Sequence, residues 1–148
     1  ERPNATGVAV DISARALAIV RANADQLGVA DRLEIRQGDW ARDIDERFDL
    51  VVSNPPYVRT GDIDDLDPEV ARFEPRVALD GGADGLHAYR IITAALPQLL
   101  RSGAAFALEV GLGQAESVKA LAEEAGLSTD EPRRDLAGIP RVVVGHAA

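Results

Sequence analysis

The sequence of 148 residues contains neither cysteine nor methionine, and it has no long apolar run. Without cysteine, disulfide frameworks, thiolate nucleophiles and cysteine-ligated zinc sites are excluded. No stretch approaches the roughly 18 to 20 consecutive apolar residues that span a bilayer, and the first residues are not those of a signal peptide. We therefore expect a soluble, cytoplasmic protein without a membrane partner. Because methionine is missing even at position 1, we also expect the sequence to be a piece of a longer chain.

Basic residues are few. The chain has 16 Lys and Arg against 25 Asp and Glu, which gives a formal net charge of −9. Nonspecific affinity for nucleic acid comes mainly from basic side chains that neutralise phosphates, so this balance argues against a direct nucleic-acid partner. The length predicts one domain with a substantial core. An acidic run between residues 62 and 69 does not match a calcium-binding loop, and we expect no metal site.

The hydrophobic pattern predicts an α/β fold in which strands alternate with helices. We expect helices over residues 13–27, 84–100 and 114–125, with Ser13 and Asp84 as N-caps and Pro97 bending or shortening the second helix. Residues 58–85 show no periodicity and are predicted to form a long functional loop. Apolar strands between helices favour a doubly wound sheet covered on both faces. The expected strands are residues 8–12, 33–36, 48–53, 104–110 and 141–145, with a weaker one near 127–131.

Unusual residues follow three of the predicted strands at their carboxyl ends, where ligands bind in open α/β sheets. Asp11 ends the first strand, Asp39 and Trp40 follow the second, and Asn54 follows the third. Asp11 is suited to accept hydrogen bonds from both hydroxyls of a ribose, but a cap or solvated turn explains it equally well. Trp40 is either a core residue or a wall for adenine. The sequence predicts that these strand ends meet at one crevice.

The most specific motif is Asn54-Pro55-Pro56-Tyr57. Two prolines restrict the backbone and so fix the directions of the Asn54 side chain and the Pro55 carbonyl. Both groups accept hydrogen bonds, so together they can hold a planar NH2 group and aim its lone pair at an electrophile. Tyr57 can stack on that group. A rigid turn is the alternative, but the complete tetrapeptide at a strand end favours a functional site.

With its flanking motifs, this chain resembles the amino-methyltransferases that use S-adenosylmethionine and carry an Asn-Pro-Pro-Tyr motif. Such enzymes act on DNA adenine N6, on ribosomal RNA guanine N2 or on a glutamine of peptide-chain release factors. The flanking motifs resemble the release-factor glutamine N5-methyltransferases, and the resemblance covers essentially the whole chain. These motifs are Gly-Asp-Trp at 38–40, Arg-Phe-Glu-Pro at 72–75, Ala-Leu-Asp-Gly-Gly at 78–82, Asp-Gly-Leu at 84–86, Tyr-Arg at 89–90 and Leu-Glu-Val-Gly at 108–111.

The resemblance implies a fold, a reaction and a set of roles. The fold would be a Rossmann-like class I methyltransferase, with residues 1–148 forming part of its catalytic domain. The reaction would transfer a methyl group from S-adenosylmethionine to the side-chain nitrogen of the glutamine in the Gly-Gly-Gln motif of class I release factors. The implied roles are ribose binding for Asp11, cofactor binding for Asp39, packing near adenine for Trp40, cofactor and substrate binding for Asn54, substrate binding for Pro55, Pro56 and Tyr57, and catalysis for Asn54, Pro55 and Tyr57.

The resemblance also implies a missing part. Methyltransferases of this class begin with a strand and a glycine-rich loop whose backbone approaches the cofactor, and no such loop occurs here. We expect the first strand and the loop to lie upstream, their loss to leave unpaired edges in the sheet, and this chain alone to be weak or inactive. The alternatives are an adenine-N6 DNA or guanine-N2 RNA methyltransferase and, in another class, a noncatalytic fragment or interaction domain.

Overall fold

The computed structural model describes residues 2–148. Its contacts divide the chain into two compact units, one ending at Ile44 and the other spanning Asp45–Ala148, and each is described by itself. Within the described residues, no helix has the length and apolar character needed to cross a bilayer.

The first unit is a β-α-β arrangement. Strand β1 (Gly7–Asp11) pairs in parallel with β2 (Leu33–Gln37), and helix α1 (Ala14–Gln26) connects them. Ser13 caps α1 as predicted, because its hydroxyl accepts a hydrogen bond of 3.2 Å from the amide of Ala16. A short 3-10 turn (Ala30–Arg32) precedes β2. The residues of β1 are only half-buried within this unit, although the sequence predicted a buried strand.

The second unit contains a mixed sheet in the order β3-β4-β7-β5, with β6 also paired to β7. Strands β3 and β4 are parallel, whereas β7 is antiparallel to each of its neighbours. The strands are β3 (Phe48–Ser53), β4 (Leu100–Glu109), β5 (Ser128–Thr129), β6 (Arg133–Arg134) and β7 (Pro140–His146). The helices are a 3-10 helix (Thr60–Asp65), α2 (Pro68–Phe73), α3 (Arg76–Leu79), α4 (His87–Leu99) and α5 (Ala115–Glu124).

The core of this unit lies on one face of β4. Alternate residues of that strand, Ala104, Phe106 and Leu108, are buried, and the residues between them are half-buried. Helices α4 and α5 contact each other and the sheet. On β3, Leu50 and Val52 are 56% and 67% exposed. The prediction of a sheet covered on both faces is therefore wrong for β3 within its unit, where β4 is its one neighbour among the described strands.

Three details of the predicted elements are also wrong. Residues 58–85 are not a structureless loop, since they include a 3-10 helix and two short helices. Asp84 does not cap α4 directly, because the helix begins at His87. Pro97 does not shorten the helix before its last turn, since α4 continues to Leu99 and the missing N–H costs only one hydrogen bond there. Strand β6, two residues long, was not predicted.

Candidate functional site

The Asn-Pro-Pro-Tyr segment, residues 54–57, leaves the sheet at the carboxyl end of β3. Ser53, the last residue of β3, pairs with Leu108 of β4, so the segment begins where both parallel strands end. Pro55 is buried while Asn54 is exposed. The two prolines have no N–H to donate, which ends the ladder at this point as the sequence predicted.

Within residues 2–148, no hydrogen-bond donor contacts the Asn54 carboxamide oxygen or the Pro55 carbonyl oxygen. Of the next two carbonyls, that of Tyr57 accepts a hydrogen bond, whereas that of Pro56 has no donor among the described residues and is packed against Gly81. A Cβ atom added to Gly81 would lie 2.9 Å from the Pro56 oxygen, and the Tyr57 oxygen accepts a hydrogen bond of 3.0 Å from Gln114. The chain thus fixes the second half of the segment and leaves two acceptors of the first half without a donor.

Residues 79–82 run beside the chain that follows the segment and hold it by backbone hydrogen bonds. The Val58 amide donates to the Leu79 carbonyl at 2.9 Å, and the Gly81 amide donates to the Val58 carbonyl at 2.8 Å. Two residues further on, the Thr60 amide donates to the Gly82 carbonyl at 3.0 Å. Parallel backbone hydrogen bonds with residues 79–82 therefore hold the chain after the motif, beyond the end of β3.

Asp80 joins this ladder through its side chain. One carboxylate oxygen accepts hydrogen bonds from the Thr60 hydroxyl at 2.7 Å and from the Gly82 amide at 3.0 Å. The other oxygen lies 3.6 Å from the Arg76 guanidinium. These donors, the Thr60 hydroxyl first, hold the pKa of Asp80 below its ordinary value, so the carboxylate remains ionised at neutral pH.

Asp84 organises the turn that leads into α4. Its carboxylate accepts a hydrogen bond of 3.1 Å from the Leu86 amide and forms an ion pair with Arg90. The hydrogen bonds from Arg90, followed by the one from Leu86, lower the pKa of Asp84 to about 2. The side chain predicted as a helix cap therefore fixes the residues just before the helix.

We expect the Asp84 carboxyl to titrate near pH 2 in this chain, and Arg90→Gln to move its pKa toward the ordinary value of 3.8. Because the folded-state pKa is lowered, the stability that this carboxylate contributes is present above pH 3.8 and is lost as the pH falls through about 2. A carbon-detected NMR titration measures the pKa directly. An apparent pKa near 3.8 in the unsubstituted chain would contradict the assigned ion pair.

Tyr89 holds the carboxyl end of β4 through a hydrogen bond. Its side chain is fully buried, and its hydroxyl donates a hydrogen bond of 2.7 Å to the carbonyl of Glu109, the last residue of β4. Burial raises the pKa of the Tyr89 phenol far above its ordinary value, and the nearby Tyr57 and Glu109 side chains raise it further. The phenol therefore stays protonated and acts as a donor that fixes the end of β4.

Gln114 connects three segments at this end of the sheet. Its side chain contacts Gly111 after β4, Tyr57 in the motif and Gly85 in the turn before α4. Sequence reasoning did not select Gln114, because a glutamine at the start of a helix carries no periodic or motif signal by itself. The signal that was available is the proximity of Gly111 and Gly113 in a strand-to-helix turn, which permits close approach of other backbone segments.

Three of the four residues predicted to bind the cofactor, Asp11, Asp39 and Trp40, lie in the first unit, and the fourth, Asn54, lies in the second. One oxygen of Asp11 accepts a hydrogen bond of 2.7 Å from the Ser13 amide, as the turn alternative requires, and its carbonyl accepts one of 3.1 Å from the Gly38 amide. Among residues 2–148, no donor contacts the other carboxylate oxygen, so the ribose alternative remains compatible. Asp39 and Trp40 follow β2 directly, and Trp40 has a φ of 57°.

The structure thus brings Asn54, Pro55, Pro56 and Tyr57 together with glycines and polar side chains of residues 80–85 and 111–114. Within the first unit it brings the Asp11 strand end next to Gly38, which precedes Asp39 and Trp40. The two groups lie in different units.

Comparison with known proteins identifies similar sequences and folds. The family model of the methyltransferase small domain matches residues 1–70. The chain is 46% identical to a release factor glutamine methyltransferase of Rhodospirillum rubrum, over 99% of this chain and 45% of that protein. A protein of the same name from Cereibacter sphaeroides is 47% identical, over 97% of this chain and 51% of its own length. The chain therefore spans about half the length of the curated relatives it matches.

Solved structures support the fold independently of sequence identity. A methyltransferase from Pyrococcus furiosus superposes with a TM-score of 0.73 at 14% identity, covering 99% of this chain and 64% of that one. The predicted class I methyltransferase fold is thus confirmed, with a mixed sheet in the second unit.

Proposed function

We propose that this chain holds a glutamine side chain for methylation on its amide nitrogen. The premise is its similarity, along nearly its whole length, to the release factor glutamine methyltransferases. The substrate would be the glutamine of the Gly-Gly-Gln motif in a class I peptide-chain release factor, and the methyl donor S-adenosylmethionine. Activity is proposed for the extended chain, which we define as this sequence joined to the residues that complete the length of its relatives.

One observation carries the proposal: the Asn54 carboxamide oxygen and the Pro55 carbonyl oxygen have no donor among residues 2–148, whereas the following carbonyls are packed or hydrogen-bonded. A primary amide has two N–H groups, so it can donate one to each of these acceptors. The N–H group of a ring nitrogen or of a peptide bond supplies one donor, so it cannot satisfy both acceptors. The pair of acceptors therefore fits an NH2 group, and Tyr57 lies beside it to pack on its plane.

The reaction requires help at the nitrogen because resonance delocalises the lone pair of an amide. S-adenosylmethionine supplies a methyl group on a sulfonium centre as the electrophile. Asn54 and Pro55 would hold both N–H groups and direct the nitrogen lone pair along the line of attack. Fixed acceptors also favour the pyramidal, more positive nitrogen that develops as the bond to carbon forms. The N–C bond would form as the C–S bond breaks, the sulfur would leave as the neutral thioether of S-adenosylhomocysteine, and the positive product nitrogen would lose a proton to solvent, with no residue assigned as a general base.

The residues of the first unit fit the adenosine part of the cofactor. Asp11 has one carboxylate oxygen engaged by the Ser13 amide and a second oxygen without a donor among the described residues, as a ribose acceptor requires. We propose that Asp11 accepts hydrogen bonds from the ribose hydroxyls, that Trp40 packs near adenine and that Asp39 also binds the cofactor. We also propose that Asn54 contacts the methionine end of the cofactor as well as the glutamine.

The experiment that tests this function uses the extended chain, a purified release factor and S-adenosylmethionine. Mass spectrometry of the release factor should show 14 Da added to the peptide with the Gly-Gly-Gln motif, a mass that follows from replacing one hydrogen by a methyl group, and fragmentation should place it on the glutamine. DNA and ribosomal RNA are assayed in parallel. Methylation of adenine or guanine with an unmodified release factor would overturn the proposal.

We expect the 148-residue chain alone to bind S-adenosylmethionine more weakly than the micromolar range. The sequence before β1 contains no glycine-rich loop, and in methyltransferases of this class it is the backbone amides of the loop after the first strand that closely approach the methionine part of the cofactor. Isothermal titration calorimetry on this chain and on the extended chain measures the difference. Micromolar affinity of the shorter chain would contradict the expectation.

A further inference from the structure

We propose that Gln114 is a positioning residue that holds the Asn-Pro-Pro-Tyr segment in the geometry needed to bind the substrate amide. This inference rests on the proposed function for its catalytic consequence, but its structural part stands on contacts of this chain alone. Gln114 touches neither of the two acceptors. It acts on them through the carbonyl of Tyr57, the last residue of the same segment.

All the hydrogen-bonding groups of the Gln114 carboxamide are directed at backbone. Its Oε1 accepts a hydrogen bond of 3.0 Å from the Gly111 amide, and its Nε2 donates to the carbonyls of Tyr57 at 3.0 Å and Gly85 at 3.3 Å. Only one orientation of the amide puts the acceptor against the N–H and both donors against the carbonyls. The three segments lie far apart in the chain, so this single side chain fixes their relative positions.

Gln114 occupies the N-cap position of α5 but does not cap it. Its side chain forms no hydrogen bond with the first amides of the helix. Serine, threonine or aspartate would satisfy those amides better. A long carboxamide here serves the contacts with the other two segments, which a cap residue is too short to reach.

The surrounding glycines show how closely the segments approach Gln114. A Cβ atom on Gly111 would lie 2.7 Å from Gln114 Oε1 and 2.9 Å from the ring of Tyr57, and one on Gly85 would lie 2.7 Å from Gln114 Nε2. Side-chain carbons do not occupy such positions. The carboxamide is therefore packed directly on backbone at both ends.

The consequence for the substrate follows from the stiffness of residues 54–57. The two prolines limit the backbone on one side of Tyr57, and the ladder at Val58 fixes the other side. The Tyr57 carbonyl and the Val58 N–H belong to the same peptide group, so Gln114 at the oxygen and the Leu79 carbonyl at the N–H hold that group together. Loss of the contact at the oxygen would let this group shift and carry Tyr57 and the stiff proline pair with it, which would displace the Pro55 carbonyl, and a misplacement of about 1 Å can cost 10²-fold in rate.

Substitutions of Gln114 distinguish a role in positioning the motif from a role in the stability of the fold. Gln114→Met keeps the length and removes every hydrogen bond, and Gln114→Glu keeps the acceptor for Gly111 but places a carboxylate against two carbonyls. Gln98→Met is the matched control, because Gln98 is exposed on α4. The circular dichroism spectrum and the thermal midpoint of each variant establish that it is folded at the temperature of measurement.

The first measurement uses this chain and needs no activity. In amide NMR spectra, Gln114→Met should shift the resonances of Asn54, Tyr57, Gly85 and Gly111, whereas Gln98→Met should leave them unchanged. The spectrum of Gln114→Glu should return toward that of the unsubstituted chain as the pH is lowered, because the protonated carboxyl regains one donor. Unchanged Asn54 and Tyr57 resonances in folded Gln114→Met would overturn the proposal, whatever the substrate proves to be.

The second measurement uses the extended chain and the release factor. Gln114→Met and Gln114→Glu should lower kcat by about 10²-fold and leave the KM for S-adenosylmethionine within about twofold, since positioning affects the transition state more than ground-state binding. A lower thermal midpoint with unchanged kcat would assign Gln114 a purely structural role and overturn the proposal. If the unsubstituted extended chain fails to methylate the release factor, the proposed function is wrong, and the NMR result alone decides on Gln114.

Discussion

Asn54→Ala is expected to lower the methylation of glutamine by the extended chain by about 10²-fold or more, the loss that follows removal of one preorganised polar group from an active site. The Asn54 carboxamide oxygen is one of the two acceptors that have no donor among residues 2–148. Without it, one N–H of the substrate amide has no fixed partner, and the nitrogen can rotate away from the line of attack. Rates measured by incorporation of labelled methyl groups into the release factor test this expectation.

The control for that experiment is Asn23→Ala. Asn23 is an exposed residue of α1, so its substitution removes the same side chain without changing the motif. We expect its turnover to equal that of the unsubstituted protein. Because Asn54 is exposed and forms no hydrogen bond within the described chain, Asn54→Ala should also keep its thermal midpoint. Unchanged turnover of Asn54→Ala would show that the chemistry assigned to the motif is wrong.

The sequence predicted those parts of the molecule whose structure depends on local pattern. Alternation between short apolar strands and amphipathic helices predicted β1, α1, β2, β3, α5 and β7 nearly at their observed limits, whereas β4 begins at Leu100, four residues before its predicted start. The place of Asn54 followed from the proline pair, since a strand cannot continue through residues that lack an N–H. The Ser13 cap was also a local signal, and it is confirmed.

Other features depend on contacts between distant segments, and no local pattern records them. Backbone hydrogen bonds between residues 58–60 and 79–82, together with the Asp80 side chain, hold the chain after the motif in place. Hydrophobic periodicity does not record these contacts. The half-exposed β1 and the exposed side chains of β3 depend on which neighbours a strand has. Gln114 could not be selected from the sequence because its three partners are backbone atoms, which every residue type carries.

The charge of the chain has a consequence for the choice between substrates. An enzyme that binds duplex DNA or ribosomal RNA neutralises phosphates with basic side chains, and the net charge of −9 offers no general attraction of that kind. Recognition of a protein loop makes no such demand. The acidic balance therefore favours a protein substrate, whereas the two acceptors at Asn54 and Pro55 fit the NH2 group of adenine, guanine or glutamine alike.

Gly85→Ala is expected to lower turnover of the extended chain by about 10²-fold and to destabilise the fold more than a left-handed glycine substitution does by itself. Gly85 has a φ of +75°, and a Cβ atom there would lie 2.5 Å from the Tyr57 carbonyl oxygen and 2.7 Å from Gln114 Nε2. Both atoms belong to the contact that fixes the motif. To admit the methyl group they must separate, and the Tyr57 peptide must move with them.

Gly126→Ala distinguishes backbone strain from this steric effect. Gly126 has a φ of +86° with nothing within 4 Å of an added Cβ, so alanine there incurs only the left-handed penalty of about 1–2 kcal/mol. Chemical denaturation should show that penalty in both variants and a further loss of about 1–3 kcal/mol in Gly85→Ala. Turnover should fall in Gly85→Ala alone. Equal losses of stability and equal turnover in the two variants would mean that the close approach of Gly85 to Tyr57 does not constrain the motif, and the fixed geometry of the two acceptors would then need another cause.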